Sequence, residues 1–81
     1  MEDTQRELTY GEKAVGLTFN PSNDEKVQAI KVKFAAIIDE LNDLRPEYNG
    51  KPNEVSRMIA IAITEAQSAQ MWAVKAVTWK F

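Results

Sequence analysis

Residues 54–77 read EVSRMIAIAITEAQSAQMWAVKAV, and this stretch settles the fold class. Val55, Ile59, Ala62, Ala66, Ala69, Ala73 and Ala76 recur at spacings of three and four, tracing one narrow seam along an α-helix. Met58, Ile61, Ile63, Trp72 and Val74 spread apolar surface around its other sides. A helix that is apolar on several sides needs several neighbours. Small residues along the seam let one of them approach at the short end of the usual ~8–10 Å axis separation. Asn53 is placed to cap the start by accepting from free N–H groups, and Glu54 suits the positive end of the helix dipole. The helix is predicted from Glu54 to Val77 or beyond.

Working back from it, Tyr48-Asn49-Gly50-Lys51-Pro52-Asn53 reads as a turn, and so short a link favours antiparallel neighbours. Pro46 discourages helical geometry at Arg45 and so ends whatever helix precedes it. That earlier helix is predicted from about Asp24 to Leu44 or Arg45, on a stripe of Val27, Ile30, Phe34, Ile37, Ile38, Leu41 and Leu44. Lys26, Lys31, Lys33, Asp39, Glu40 and Asp43 fall largely off the stripe, where a solvated face is expected. Before it stand the turn formers Phe19-Asn20-Pro21-Ser22-Asn23-Asp24, of which Ser22, Asn23 or Asp24 can cap the helix. The first segment, Thr4 to Leu17, is broken by Gly11 and Gly16 and reads as one short helix or two fragments. The predicted architecture is all-α: a single domain over 1–81, with an N-terminal helix and turn (1–23), a first long helix (24–45) and a second (54–79). The two long helices form an antiparallel hairpin. Each spans roughly 30 Å, and a lone pair cannot bury so much apolar surface, so assembly into a homo-oligomeric bundle is expected.

Composition removes whole classes of function. Among 81 residues there is no Cys, which excludes disulfide scaffolds, thiolate zinc sites and thiol nucleophiles. There is no His, so the usual general base and commonest metal ligand are missing. Lys and Arg total 10 against 12 Asp and Glu, a net charge of −2 that argues against coating DNA. No apolar run approaches the ~20 residues of a membrane span, and the acidic start at Glu2 and Asp3 is unlike a signal peptide. Asp39 and Asp43 share a helix face as metal-binding carboxylates do, but no further ligand completes a site. Gly11 and Gly16 fit neither phosphate-loop spacing. The chain is expected to be non-enzymatic, with no metal and no cofactor.

Binding readings fare better. At the constrained Phe19-Asn20 turn an aromatic ring can stack on a base and an amide can read a base edge or phosphate. Lys31 and Lys33 follow within reach of an anionic ligand held by another subunit. Against this, Phe19 can serve as a hydrophobic staple on the following helix, and the two lysines as solubilising charges. Trp72 and Trp79 lie seven apart near one helical face, suited to stacking on bases, to inserting in a membrane interface or, as the favoured reading, to an oligomer core.

These residues also carry a resemblance. Gly16-Leu17-Thr18-Phe19-Asn20-Pro21-Ser22, Val27-Gln28-Ala29-Ile30-Lys31, Ala36-Ile37-Ile38-Asp39, Ala62-Ile63-Thr64-Glu65-Ala66-Gln67 and Met71-Trp72-Ala73-Val74-Lys75-Ala76 together resemble the helical-hairpin domain of phage anti-CBASS and anti-Thoeris proteins. The likeness runs from about Gly16 to Trp79, and the last run is its most specific part. It implies a sponge that sequesters cyclic nucleotide immune signals in the cytoplasm of an infected bacterium, without DNA or membrane partners. It implies a homohexamer, a trimer of dimers, with Ala62, Ala66, Ala69, Trp72, Ala73 and Ala76 at subunit interfaces. Cyclic dinucleotides such as cGAMP would sit between subunits on Phe19, Asn20, Lys31 and Lys33, and cyclic trinucleotides in a second pocket using Arg57 or Arg45. The alternative is a helical protein-binding or structural phage accessory module, with Trp72 and Trp79 as partner-facing anchors.

Overall fold

The computed structural model describes residues 6–45 and 53–81, and its described residues form three helices and no strand. They are α1 (Tyr10–Val15), α2 (Glu25–Asp43) and α3 (Glu54–Val77). The turn expected at Tyr48 to Pro52, and Pro46 before it, lie outside the described residues. The N-terminal segment resolves into a single short helix. Thr9 and Glu12 form a reciprocal capping box at its start: the Thr9 hydroxyl accepts from the Glu12 N–H and the Glu12 carboxylate from the Thr9 N–H. The Thr9 backbone N–H, and then Arg6, hold the Glu12 carboxyl below its ordinary range. Gly16, at φ 63°, ends the helix in the left-handed conformation that a Cβ disfavours. Its N–H donates to Lys13 O and the Leu17 N–H to Glu12 O, the paired bonds of a Schellman motif. Asp24 caps α2 by accepting from the Lys26 and Val27 N–H groups, and Asn53 caps α3 through the Ser56 N–H.

The core joins Val15, Leu17, Ala35, Ile38, Ile59 and Ile63, with Leu8, Ala14, Phe34, Leu41 and Ala66 packed against it. Middle residues of α2 thus meet the first half of α3, while Val27 and Lys31 share a cavity with Val74 and Thr78 near its end, so the hairpin is antiparallel. The buried line on α2 is Val27, Lys31, Ala35 and Ile38, rotated from the expected stripe. Ile37 and Leu44 are exposed and Lys31 is buried, because α1 and its loop cover that side of the helix. On α3 the buried residues are Ile59, Ile63 and Gln70, so Ile63 belongs to the inner face. Ala62, Ala66 and Ala73 are half-buried, and Ala69 and Ala76 face outward.

Asp39 corrects another expectation. Rather than lying on a solvated face it is half-buried, and its carboxylate accepts from the Gly11 N–H at 2.7 Å, tying α1 to α2. The negative charge stands at the start of α1, where the helix dipole favours it. Asp39→Ala is expected to lower stability by about 1–2 kcal/mol, read from urea unfolding, since it orphans a part-buried donor.

Three helices in one layer make a thin molecule, 13 Å in its smallest dimension. That is about one helix diameter, and a single layer cannot enclose a core from both sides. Accordingly Val32, Ile37, Met58, Ile61, Met71 and Trp72 are all 43–68% exposed.

Candidate functional site

The loop from Gly16 to Asp24 joins α1 to α2 and ends beside the last turn of α3. Its backbone is fastened point by point. The Phe19 N–H donates to Gly16 O at 2.9 Å, and the Asn23 N–H to Asn20 O at 2.9 Å. Asn23 takes φ 55°, a left-handed conformation that asparagine tolerates better than most residues.

Two side chains complete the fastening. Lys31 reaches back from α2, and its ammonium donates to Gly16 O at 2.9 Å and to Phe19 O. The residue is only 4% exposed, and burial lowers its pKa from the ordinary lysine value. Its sequence neighbours mark it as an exposed-face lysine; the structure places it inside because the turn carbonyls need a donor there. The second fastener is Asn20. Its Oδ1 accepts from the Asp24 N–H at 3.2 Å, while its Nδ2 donates to Asp24 O at 3.0 Å and towards Gln28 Oε1 at 3.4 Å.

Above these bonds the Phe19 ring stands 72% exposed, with the Lys31 ammonium 5.4 Å from its centroid. A residue packed as a staple would be covered, so that reading of Phe19 does not hold. Phe19, Asn20 and Lys31 line one cavity of about 200 Å³ with Pro21, Ser22, Val27, Val74 and Thr78. The arrangement offers a ring face for a flat aromatic ligand, one ammonium for an anion, and apolar walls. Val74 and Thr78 escape sequence reasoning, because the register of an antiparallel hairpin fixes which end of α3 meets residue 19.

The other candidate residues lie elsewhere. Lys33 is exposed and borders a separate depression with Glu25, Gln28, Ala29 and Val32. Arg57 is exposed at the start of α3 and pairs with Glu54. Arg45 follows α2, its guanidinium carbon 5.6 Å from the Tyr10 ring centroid. Both arginines therefore sit at the end of the hairpin away from Phe19. Trp72 and Trp79 are 68% and 59% exposed, with the Lys75 ammonium 5.6 and 5.8 Å from their ring centroids. Among the described residues no cluster of three or more His, Cys, Asp or Glu side chains is placed to hold a metal, and no helix is long and apolar enough to cross a membrane.

Compared with known proteins, residues 12–78 match the family model described as Acb2/Tad1, hairpin domain. No curated protein and no solved structure matches the chain.

Proposed function

The chain belongs to the Acb2/Tad1 hairpin-domain family, whose role is to sequester cyclic nucleotides against host defence, and we propose that it acts as such a sponge itself. In this reading it binds cyclic oligonucleotide second messengers, cyclic dinucleotides such as cGAMP first among them, and releases them unmodified. By holding the signal in the cytoplasm of the infected host it blunts CBASS-type defence.

The observation that carries the proposal is the cavity at the open end of the hairpin. The exposed Phe19 ring is the stacking surface and Lys31 the phosphate contact, with Asn20 in the wall between them. A cavity of about 200 Å³ falls short of the ~300–1,000 Å³ usual for a ligand pocket. The remainder is then supplied by another copy, which the exposed apolar faces of a one-layer molecule also require. Ala69, Trp72 and Ala76 are outward-facing and suited to those contacts, together with the outer sides of Ala62, Ala66 and Ala73; a hexamer built as a trimer of dimers is the proposed assembly. Lys33, outside the cavity of its own chain, is proposed to reach a ligand held by a neighbouring protomer. Arg57 and Arg45, at the far end, are proposed for a separate cyclic trinucleotide pocket.

Isothermal titration with a panel of cyclic di- and trinucleotides tests the reading. Tight binding of a cyclic dinucleotide near one per pair of chains is expected. Stacking on one aromatic ring contributes about 1–3 kcal/mol, so Phe19→Ala is expected to weaken binding roughly 10- to 100-fold. Its oligomer, read by light scattering, stays unchanged. No heat with any ligand from folded, oligomeric protein would instead favour a protein-binding module docking through Trp72 and Trp79.

A further inference from the structure

We propose that Asn20 is a positioning residue, which acts on ligand through the Phe19 ring and offers the ligand no free N–H donor of its own. The inference rests on the sequestering role of this cavity and assigns Asn20 a part within it.

Its hydrogen-bonding capacity is nearly consumed inside the chain. A carboxamide has two N–H donors and two acceptor lone pairs. The Asp24 N–H can only donate, so the oxygen facing it is Oδ1 and the amide orientation is fixed. Both Nδ2 hydrogens are then taken, by Asp24 O and Gln28 Oε1, which leaves one lone pair on Oδ1. Reading a base edge or phosphate with an N–H would require breaking a bond at the start of α2.

What these bonds secure is the place of Phe19. Asn20 follows it directly and is tied to Asp24 and Gln28 at the start of α2, while Lys31 holds the carbonyls of Gly16 and Phe19 from the other side. An exposed ring has few packing contacts of its own to keep it in place. Its position is set by the backbone between Gly16 and Asp24, and that backbone is anchored by Lys31 at one end and Asn20 at the other. Without the Asn20 anchor the loop samples conformations in which the ring is misplaced. Apparent affinity then falls by the fraction of chains that remain competent.

A lost contact and a lost anchor have different kinetics. Removing a contact speeds dissociation, whereas lowering the competent fraction slows association and leaves the bound state intact. The experiment measures cGAMP association and dissociation on immobilised full-length protein, alongside amide hydrogen exchange of the free chain. For Asn20→Ala we expect about tenfold slower association, dissociation within about twofold of the parent, and faster exchange at the Phe19 and Asn23 N–H groups. Neither of those N–H groups bonds to the Asn20 side chain, so their exchange reports the loop as a whole. Gln28→Ala removes an Asn20 partner outside the cavity and is expected to give a smaller change of the same kind. Faster dissociation with unchanged association and unchanged exchange in Asn20→Ala, and no effect of Gln28→Ala, would overturn the proposal. Should the parent protein fail to bind cGAMP or any other cyclic nucleotide, the sequestering role fails, and the exchange measurement alone decides whether Asn20 orders the loop.

Discussion

Lys31→Met is expected to lower affinity for a cyclic dinucleotide by about 10- to 150-fold, the largest effect of any substitution in the cavity. Charge-assisted hydrogen bonds contribute about 1.5–3 kcal/mol each, and among the described residues the ammonium is the only cation lining the cavity. Methionine keeps the apolar stem and the fit against α1, so the fold survives. Gly16 O retains the Phe19 N–H, and only Phe19 O loses its donor. The loss of stability is therefore small, about 1 kcal/mol, offset in part by removing a charge held away from water. Titration calorimetry and a thermal melt separate the two effects. Affinity equal to the parent protein's would remove Lys31 from the ligand site.

The same burial gives a pH dependence of definite sign. Because the folded pKa of Lys31 is lowered, the ammonium loses its proton at a pH below that of an ordinary lysine. Between the lowered and the ordinary value the unfolded chain holds the extra proton. In that window this group's contribution to stability rises with pH, while affinity for an anionic ligand falls.

Gly11→Ala is expected to have the largest effect on stability. A Cβ built at Gly11 would stand 2.1 Å from Ala35 O and 2.9 Å from Asp39 Oδ1. Backbone oxygen cannot swing aside as the end of a flexible side chain does, so α1 must lift from α2. Lifting it stretches the Gly11–Asp39 bond and opens the contacts of Val15 and Leu17 with the core. Overpacking of this kind costs about 2–3 kcal/mol, and in a chain this short that lowers Tm by about 10–20 °C. A melting temperature within about 3 °C of the parent's would contradict the close crossing of the two helices. Since α1 leads into the Gly16–Asp24 loop, weaker ligand binding should accompany the loss.

How much of this was open to sequence reasoning follows from the range of each interaction. The long helices are written in local periodicity: the Asn53 and Asp24 caps and the apolar repeats of α2 and α3 need no knowledge of distant partners. Phe19 and Asn20 stand out for a similar reason, as an aromatic and an amide at a turn before a helix. Interactions across the chain are not written that way. Asp39 reads as a solvated carboxylate until Gly11, 28 residues earlier, is brought onto it. Lys31 did leave a signal, since Val27, Lys31, Ala35 and Ile38 keep helical spacing; the larger side chains Ile30, Phe34 and Ile37 outweighed it and drew the expected stripe to one side. The closure of the cavity by Val74 and Thr78 depends on hairpin register, which no local pattern encodes.

The exposed aromatic end of α3 belongs to the same account. Trp72 and Trp79 flank Lys75, and Trp79 meets Phe81 edge to face at 5.2 Å. Within one chain these rings have little else to cover them, and in the proposed assembly another copy covers them.

The central claim is that ligand is held and returned without chemistry. Its most direct test is to incubate the protein with an equimolar cyclic dinucleotide, wash away unbound ligand on a size-exclusion filter, denature the retained protein by heat, and identify what is released by chromatography. A sponge returns the intact cyclic dinucleotide, near one per pair of chains. Release of a linearised or hydrolysed product, or retention of no ligand at all by folded protein, would contradict it.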